Sequence, residues 1–382
     1  MRETIVVAEA EGRAGLWACR SLVRAGFRVV ATAGTAAAVR VVARTSCAAV
    51  RLVPRPQSDG AAFLAGIAEA IESEGAAAVM QSDNEAATEL LTRFAGRSAV
   101  LVVGPDARQF AALCDKSILP ETLRAARLDS PATAVVGADG PAAELPPAPC
   151  IVKPVSAGTG SGVRHVHQLA RLAGDDRERD ELVRELVRAT GSAIVQERLS
   201  GAAWRIHFVA SRSAFAALPV QTLRSYPRDA GMSTVQHVPA EAPAEIFTAA
   251  ERLVRHVGYV GPGSVQFIER DGRFYVHDVN LRLPASVAIS IKAGLDLPAL
   301  AVECALGRDQ ALAGVAPRRG VTYVWLAGEL RALASGLRQP RRALPAAASF
   351  SSLVGRAVLS PSFVVDRPPL RRLRVARNTL GT

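Results

Sequence analysis

The chain reads as an α/β protein that becomes α+β in its C-terminal part, and three observations predict this. Short apolar runs alternate with helix-length segments from the start. Ile5-Val6-Val7-Ala8 is followed by a turn with Gly12 and Gly15, a helix from about Leu16 to Ala25 capped by Gly26, and Phe27-Arg28-Val29-Val30-Ala31. This is the opening of a parallel sheet. The alternation then continues with a helix from Gly60 to Glu74, a strand from Ala77 to Met80, a helix from Glu85 to Phe94 and a strand from Ala99 to Val103, until Pro105 closes the first unit. Further on the pattern changes: strands at Trp204 to Ala210 and Ala214 to Val220 precede Gly261 to Arg282, which reads as a hairpin around the tight turn Asp271-Gly272.

The segments between have their own punctuation. A short helix, Asp106 to Cys114, leads to Asp115-Lys116 and a helix ending near Ala126. Gly137 to Pro149, rich in Gly, Pro and Ala, is a loop or linker. The strand Cys150 to Pro154, a Ser/Gly stretch, a charged helix from Asp175 to Ala189 and a strand from Ala193 to Glu197 follow. Glu245 to Val257 is an amphipathic helix, and Ser286 to Gly294 and Leu297 to Leu306 are two more. Val321 to Ala334 passes from strand to helix, and Val364 to Pro369 reads as a turn.

Composition excludes several classes. With 382 residues, 49% apolar and 21% charged, the chain suits two or three globular domains. No uncharged apolar run approaches the roughly 18 residues of a membrane span. The N-terminus enters a strand without a signal-peptide pattern, and the five cysteines are scattered with no CxxC pair, so reduced thiols in the cytoplasm are expected and a zinc site is not. The net charge is +11, of which the segment from Arg331 onward supplies nine, through ten arginines against Asp366. Aromatic residues for base stacking are nearly absent there, and nucleic acid is not expected as a partner.

The hairpin carries the most chemistry. Asp278, Asn280 and Arg282 are two residues apart on its second strand and leave one face, with Gln266 able to meet them from the partner strand. A carboxylate, two amides and a guanidinium suit Mg²⁺ with phosphate beside it. Upstream, Lys153 ends a strand before Ser156-Ala157-Gly158-Thr159-Gly160-Ser161-Gly162, where small residues let backbone N–H groups approach phosphate. There is no G-K-[ST] of a Walker motif, and the first βα turn lacks the third glycine of a dinucleotide fingerprint. Glu197 ends the next strand before the connector Arg198-Leu199-Ser200-Gly201.

In this order the residues resemble the ATP-grasp ligases, a resemblance that runs from about Ile5 to Gly307. It implies a Rossmann-like preATP-grasp domain at 1–105, which does not bind NAD, and then a two-lobed ATP-grasp fold. The linker helix and lid would span 106–213, the catalytic part with its Mg/phosphate site 214–320, and a basic extension 321–382. It assigns ATP binding to Lys116, Lys153, Ser156, Gly158, Gly160, Ser161, Gly162, Gln196, Glu197 and Leu199. Gln266, Asp278 and Asn280 would be metal ligands. Arg282 would meet the transferring phosphate, and Arg224 an acylphosphate or substrate. Asp278-Val279-Asn280-Leu281-Arg282 is similar to the family's E-x-N-x-R signature with aspartate for glutamate, and Gln266 stands where many relatives carry an acid. Ala202-Ala203-Trp204-Arg205 occupies the place where an acidic ribose ligand is common.

The implied activity is an ATP- and Mg²⁺- (or Mn²⁺-) dependent carboxylate–amine ligase acting through an acylphosphate on an amino acid or small peptide. Its partners would be ATP, a carboxylate and an amine, with a homodimer left open. Two alternatives stand beside it: a bicarbonate-activating enzyme of the carbamoyl-phosphate type, and a non-catalytic ATP-binding protein whose Arg-rich tail docks on a polyanion. The six histidines show no metal-ligand spacing beyond His165-x-His167 and are expected to be structural or surface residues.

Overall fold

The computed structural model describes residues 2–95, 100–141, 143–155, 170–227, 231–338, 347–348, 350–353 and 362–366. Three sheets organise them. The first is parallel, in the order β3-β2-β1-β4-β5, with β1 at Thr4–Ala8, β2 at Arg28–Ala33, β3 at Ala49–Leu52, β4 at Ala78–Gln81 and β5 at Leu101–Val103. Helices α1 (Arg13–Arg24), α2 (Ala36–Val42), α3 (Gly60–Glu74) and α4 (Glu85–Leu91) connect them. Helices α2, α3 and α4 start where side chains cap free N–H groups: Thr35 accepts from Ala38 at α2, Asp59 from Ala62 at α3 and Asn84 from Ala86 and Ala87 at α4. The central strands β1, β2 and β4 are buried on both faces. Ile5, Val7 and Met80 join the core shared with α1, while Val6, Ala8 and Val79 pack under α3 and α4.

Helices α5 (Ala107–Cys114) and α6 (Leu119–Ala125) lead to the second sheet. Asp106 and Gln109 form a reciprocal capping box at the start of α5. The second sheet is antiparallel, ordered β7-β6-β10-β8-β9, with β6 at Thr133–Gly137, β7 at Gly140–Pro141, β8 at Cys150–Lys153, β9 at Arg171–Ala173 and β10 at Ala193–Glu197. Helix α7 (Asp176–Thr190) covers one face with Val183 and Leu186.

The third sheet is the largest, ordered β15-β14-β11-β12-β13-β16-β17. Its strands are β11 (Ala202–Ala210), β12 (Phe215–Tyr226), β13 (Met232–His237), β14 (Gly261–Arg270), β15 (Arg273–Asn280), β16 (Thr322–Trp325) and β17 (Phe363–Asp366). Helix α8 (Ala244–His256) packs on one face with α5 and α6, through Ile206, Phe208, Val265 and Phe267. The other face, through Val209, Leu218, Val220 and Tyr323, shares a core with α1, α9 (Val287–Ala293) and α10 (Leu297–Ala305) of the same chain. Helix α11 (Leu326–Leu337) follows β16 and contacts β12 and β13.

The α/β character, with a mixed C-terminal part, is as expected, and the hairpin turn at Asp271-Gly272 has both residues at positive φ (51° and 74°). Several elements depart from expectation. Helix α2 with β3, and the strand β13, carry no strong periodic signal and were not anticipated. The stretch read as a turn from Val364 includes strand β17. Two successive valines favour an extended chain, and the parallel partner that settles the matter, β16, lies far upstream. Four cysteines are buried and Cys47 is half-buried, all as free thiols. Among the described residues no helix is long and apolar enough to cross a membrane.

Candidate active site

The hairpin brings its polar residues together as its pleat requires. Gln266 pairs in register with Asp278, and Ser264 with Asn280. Gln266 Nε2 donates to Asp278 Oδ2 at 2.6 Å, and Asn280 Nδ2 to the same oxygen at 2.7 Å. Both amides are therefore fixed around one carboxylate. Arg282 lies just past the end of β15, with its guanidinium 4.0 Å from Glu85 Oε2 of α4. Lys116, in the turn after α5, reaches the same region: its Nζ is 3.7 Å from Glu85 Oε1 and 3.9 Å from Asp278 Oδ1.

The second sheet supplies Lys153 from the end of β8. Its Nζ donates to Gln196 Oε1 at 2.9 Å and to the His277 carbonyl at 3.0 Å, so the lysine bridges from the second sheet to β15. Gln196 in turn donates through Nε2 to Thr133 Oγ1. Its amide thus holds Lys153 in place. Glu197 faces outward, paired with Arg270 at 3.1 Å, and its backbone N–H bonds to Ala132. Leu199 is half-buried in the connector that leads to Gly201. At Gly201 a Cβ would lie 1.7 Å from the Glu269 carbonyl oxygen, so only glycine lets the connector pass this close to β14. Ser156, Gly158, Gly160, Ser161 and Gly162 lie outside the described residues.

The electrostatics follow from burial and crowding of cations. Burial alone would raise the Asp278 carboxyl, but Lys116 and Lys153 outweigh it and hold it below its usual range. Burial works to lower Lys116, and Glu85 and Asp278 outweigh that and raise it. Lys153 has neutral hydrogen-bond partners, so burial dominates; aided by Lys116 and opposed by Asp278, it pushes the ammonium down to about 8. His277 is pushed down to about 4 by burial and then Lys153, and is neutral near pH 7.

Two residues of this site were missed in the sequence. Arg205 on β11 pairs in register with Gln266. Burial pushes it down to about 10, with Asp278 opposing and Arg282 and Arg13 adding to the fall. The signal was available: Trp204-Arg205-Ile206-His207-Phe208 alternates, which sends Arg205 and His207 to the face shared with Gln266. Glu85 had no local signal, because only the packing of the first sheet against the third brings α4 to Lys116 and Arg282. Arg224 lies elsewhere on the third sheet: its guanidinium is 3.0 Å from Glu329 Oε2 of α11, a carboxylate only 1% exposed. His207 is fully buried, with Nδ1 2.8 Å from Ser290 Oγ, a structural placement as expected.

The arrangement fits one hard divalent cation. Asp278 offers carboxylate oxygen, and the amides of Gln266 and Asn280, which donate to it through their nitrogens, each carry an oxygen that could serve a cation. Around it Lys116, Lys153, Arg205 and Arg282 supply more positive charge than Asp278 and Glu85 balance, which suits a polyphosphate.

Residues 192–329 match a family described as ATP-grasp in the biosynthetic pathway with Ter operon. The chain is 28% identical over 167 residues to an acetyl-CoA carboxylase of Dictyostelium discoideum, which is 42% of this chain and 7% of that protein. It is 30% identical over 161 residues to a D-alanine–D-alanine ligase of Anaeromyxobacter sp. (strain Fw109-5), 39% of this chain and 50% of that one. The matches thus span half or less of these curated relatives. Among solved structures, an L-amino acid ligase from Bacillus licheniformis superposes with a TM-score of 0.63 at 16% identity, covering 83% of this chain and 78% of that one. Residues 192–329 are thus similar to an ATP-grasp family, and the chain shares its fold with the solved ligase.

Proposed function

We propose that the protein is an ATP-dependent ligase that activates a carboxylate as an acylphosphate and transfers it to an amine, with an amino acid or small peptide among its substrates. The observation that carries this reading is the half-buried carboxylate of Asp278, bonded by two amides and facing the charges of Lys116, Lys153 and Arg205, with Arg282 held nearby on Glu85. Transfer between anions needs charge neutralisation and alignment more than a covalent nucleophile, and these residues offer both. The likeness to a D-alanine–D-alanine ligase and to an L-amino acid ligase supports the substrate class.

In this reading Gln266, Asp278 and Asn280 hold Mg²⁺ or Mn²⁺, which when bound adds positive charge against the ATP phosphates. Lys116 and Lys153 neutralise phosphate oxygens, and Gln196 keeps the Lys153 ammonium aimed at them. Arg282, anchored by Glu85, faces the transferring phosphoryl group. The connector from Glu197 through Leu199 lies against adenine, and Ser156, Gly158, Gly160, Ser161 and Gly162 cover the phosphates. Arg224, whose partner Glu329 is buried, takes a substrate role on the adjoining part of the sheet. The domain limits at 105, 213 and 320 and a cytoplasmic setting are part of the same proposal.

The match to an acetyl-CoA carboxylase favours one rival, bicarbonate activation. Added bicarbonate alone stimulates ADP release under the rival; a carboxylate together with an amine is required under the ligase reading. Asp278→Ala and Asn280→Ala each reduce ADP release to background if the site is assigned correctly. Wild-type rates in both would remove the metal assignment.

A further inference from the structure

We propose that Arg205 takes the place of a second divalent cation at the phosphate end of the site, so that the protein works with one metal ion per bound nucleotide. This rests on the nucleotide reading of the Asp278 site and on no particular carboxylate or amine.

Three observations meet here. The first is the donor set: one carboxylate and two neutral amides. Among the described residues there is no group of three or more His, Cys, Asp or Glu side chains able to hold a metal ion. Glu85, the other acid nearby, faces Lys116 and Arg282. Two divalent ions would bring four positive charges to one carboxylate already shared with lysines. The second is position. Arg205 sits opposite Gln266 on the neighbouring strand, and Gln266 is opposite Asp278, so the three leave one face of the sheet. At a strand spacing of about 4.8 Å, Arg205 stands about 10 Å of backbone from Asp278, within the reach of its long side chain. The third is that no carboxylate among the described residues lies within ion-pair distance of Arg205, although it feels the charges of Arg282 and Arg13. A desolvated guanidinium held among cations favours an arriving anion, and its planar fork can bridge two phosphate oxygens as a metal ion would.

The count of bound Mn²⁺ tests this without turnover. Equilibrium dialysis with ADP at saturation, read by the electron paramagnetic resonance signal of free Mn²⁺, gives one Mn²⁺ per bound ADP in the wild type. Arg205→Lys keeps the count at one, and Arg205→Glu, which places a carboxylate beside Gln266, raises it to two. Two ions in the wild type overturn the proposal, as does a count of one in Arg205→Glu or the absence of any ADP binding. Failure of amine-dependent ADP release, by contrast, removes the ligase reading and leaves the count standing.

Discussion

Lys153 gives the sharpest prediction, because its environment sets both a pH and a direction. Its ammonium is buried, donates among the described residues to the neutral oxygens of Gln196 and His277, and is pushed down to about 8 in the free protein. A phosphate arriving beside it supplies the missing counter-charge and returns the pKa toward the ordinary value of about 10.4. Nucleotide binding must then take up a proton between those two pH values. At pH 8.5 about three quarters of the free protein carries neutral Lys153, so binding takes up about 0.75 proton; at pH 7 the uptake is about 0.1. Affinity falls about tenfold per pH unit above 8 for the same reason. Calorimetry of a non-hydrolysable ATP analogue with Mg²⁺, in buffers of different ionisation enthalpy, measures the uptake directly. Lys153→Met abolishes it and weakens binding at pH 7 by about 1.5–3 kcal/mol, the value of a charge-assisted hydrogen bond. Uptake at pH 8.5 equal to that at pH 7, or uptake that survives in Lys153→Met, would refute the reasoning.

Two further outcomes concern stability. Arg224→Met leaves the Glu329 carboxylate, 1% exposed, without its ion-pair partner; urea unfolding should show a loss of about 3 kcal/mol. If stability is unchanged while activity is lost, Arg224 serves substrate alone. His207 is pushed down to about 3 by burial and by Arg205, and is neutral in the folded chain. The unfolded chain binds a proton below about 6.5 and the folded one does not, so stability is full above that pH and falls by up to about 1.4 kcal/mol per unit below it. Between pH 6.5 and 5.5 the wild type therefore loses about 1 kcal/mol that His207→Gln does not lose. Equal pH dependence in the two proteins would show that His207 is not the group responsible.

What the sequence made legible was whatever short-range chemistry dictates. The period-two pattern put Asp278 and Asn280 on one face, the Asp271-Gly272 pair demanded a tight turn, and the helices expected from Gly60, Glu85 and Asp106 begin within a residue of those positions. What it hid depends on contacts between distant segments. Glu85 reaches Arg282 only because the first sheet packs on the third, and β17 forms only because β16 offers a parallel edge. Arg205 was an intermediate case. Its alternation was visible, but the expectation of an acid at that place drew notice away from the arginine itself. Gln196 shows the converse: it was placed at the site, while its work of fixing Lys153 could be seen only in the folded chain.

The central claim is that the Asp278 site spends ATP to join a carboxylate to an amine. It is tested most directly by incubating the full chain with ATP, Mg²⁺ and pairwise combinations of amino acids and dipeptides, measuring ADP, AMP and the mass of any product. The predicted result is ADP and phosphate released in step with an amide product, dependent on both substrates and absent in Asp278→Ala. ATP that binds but yields no ADP with any combination, or AMP with pyrophosphate in place of ADP, would contradict it.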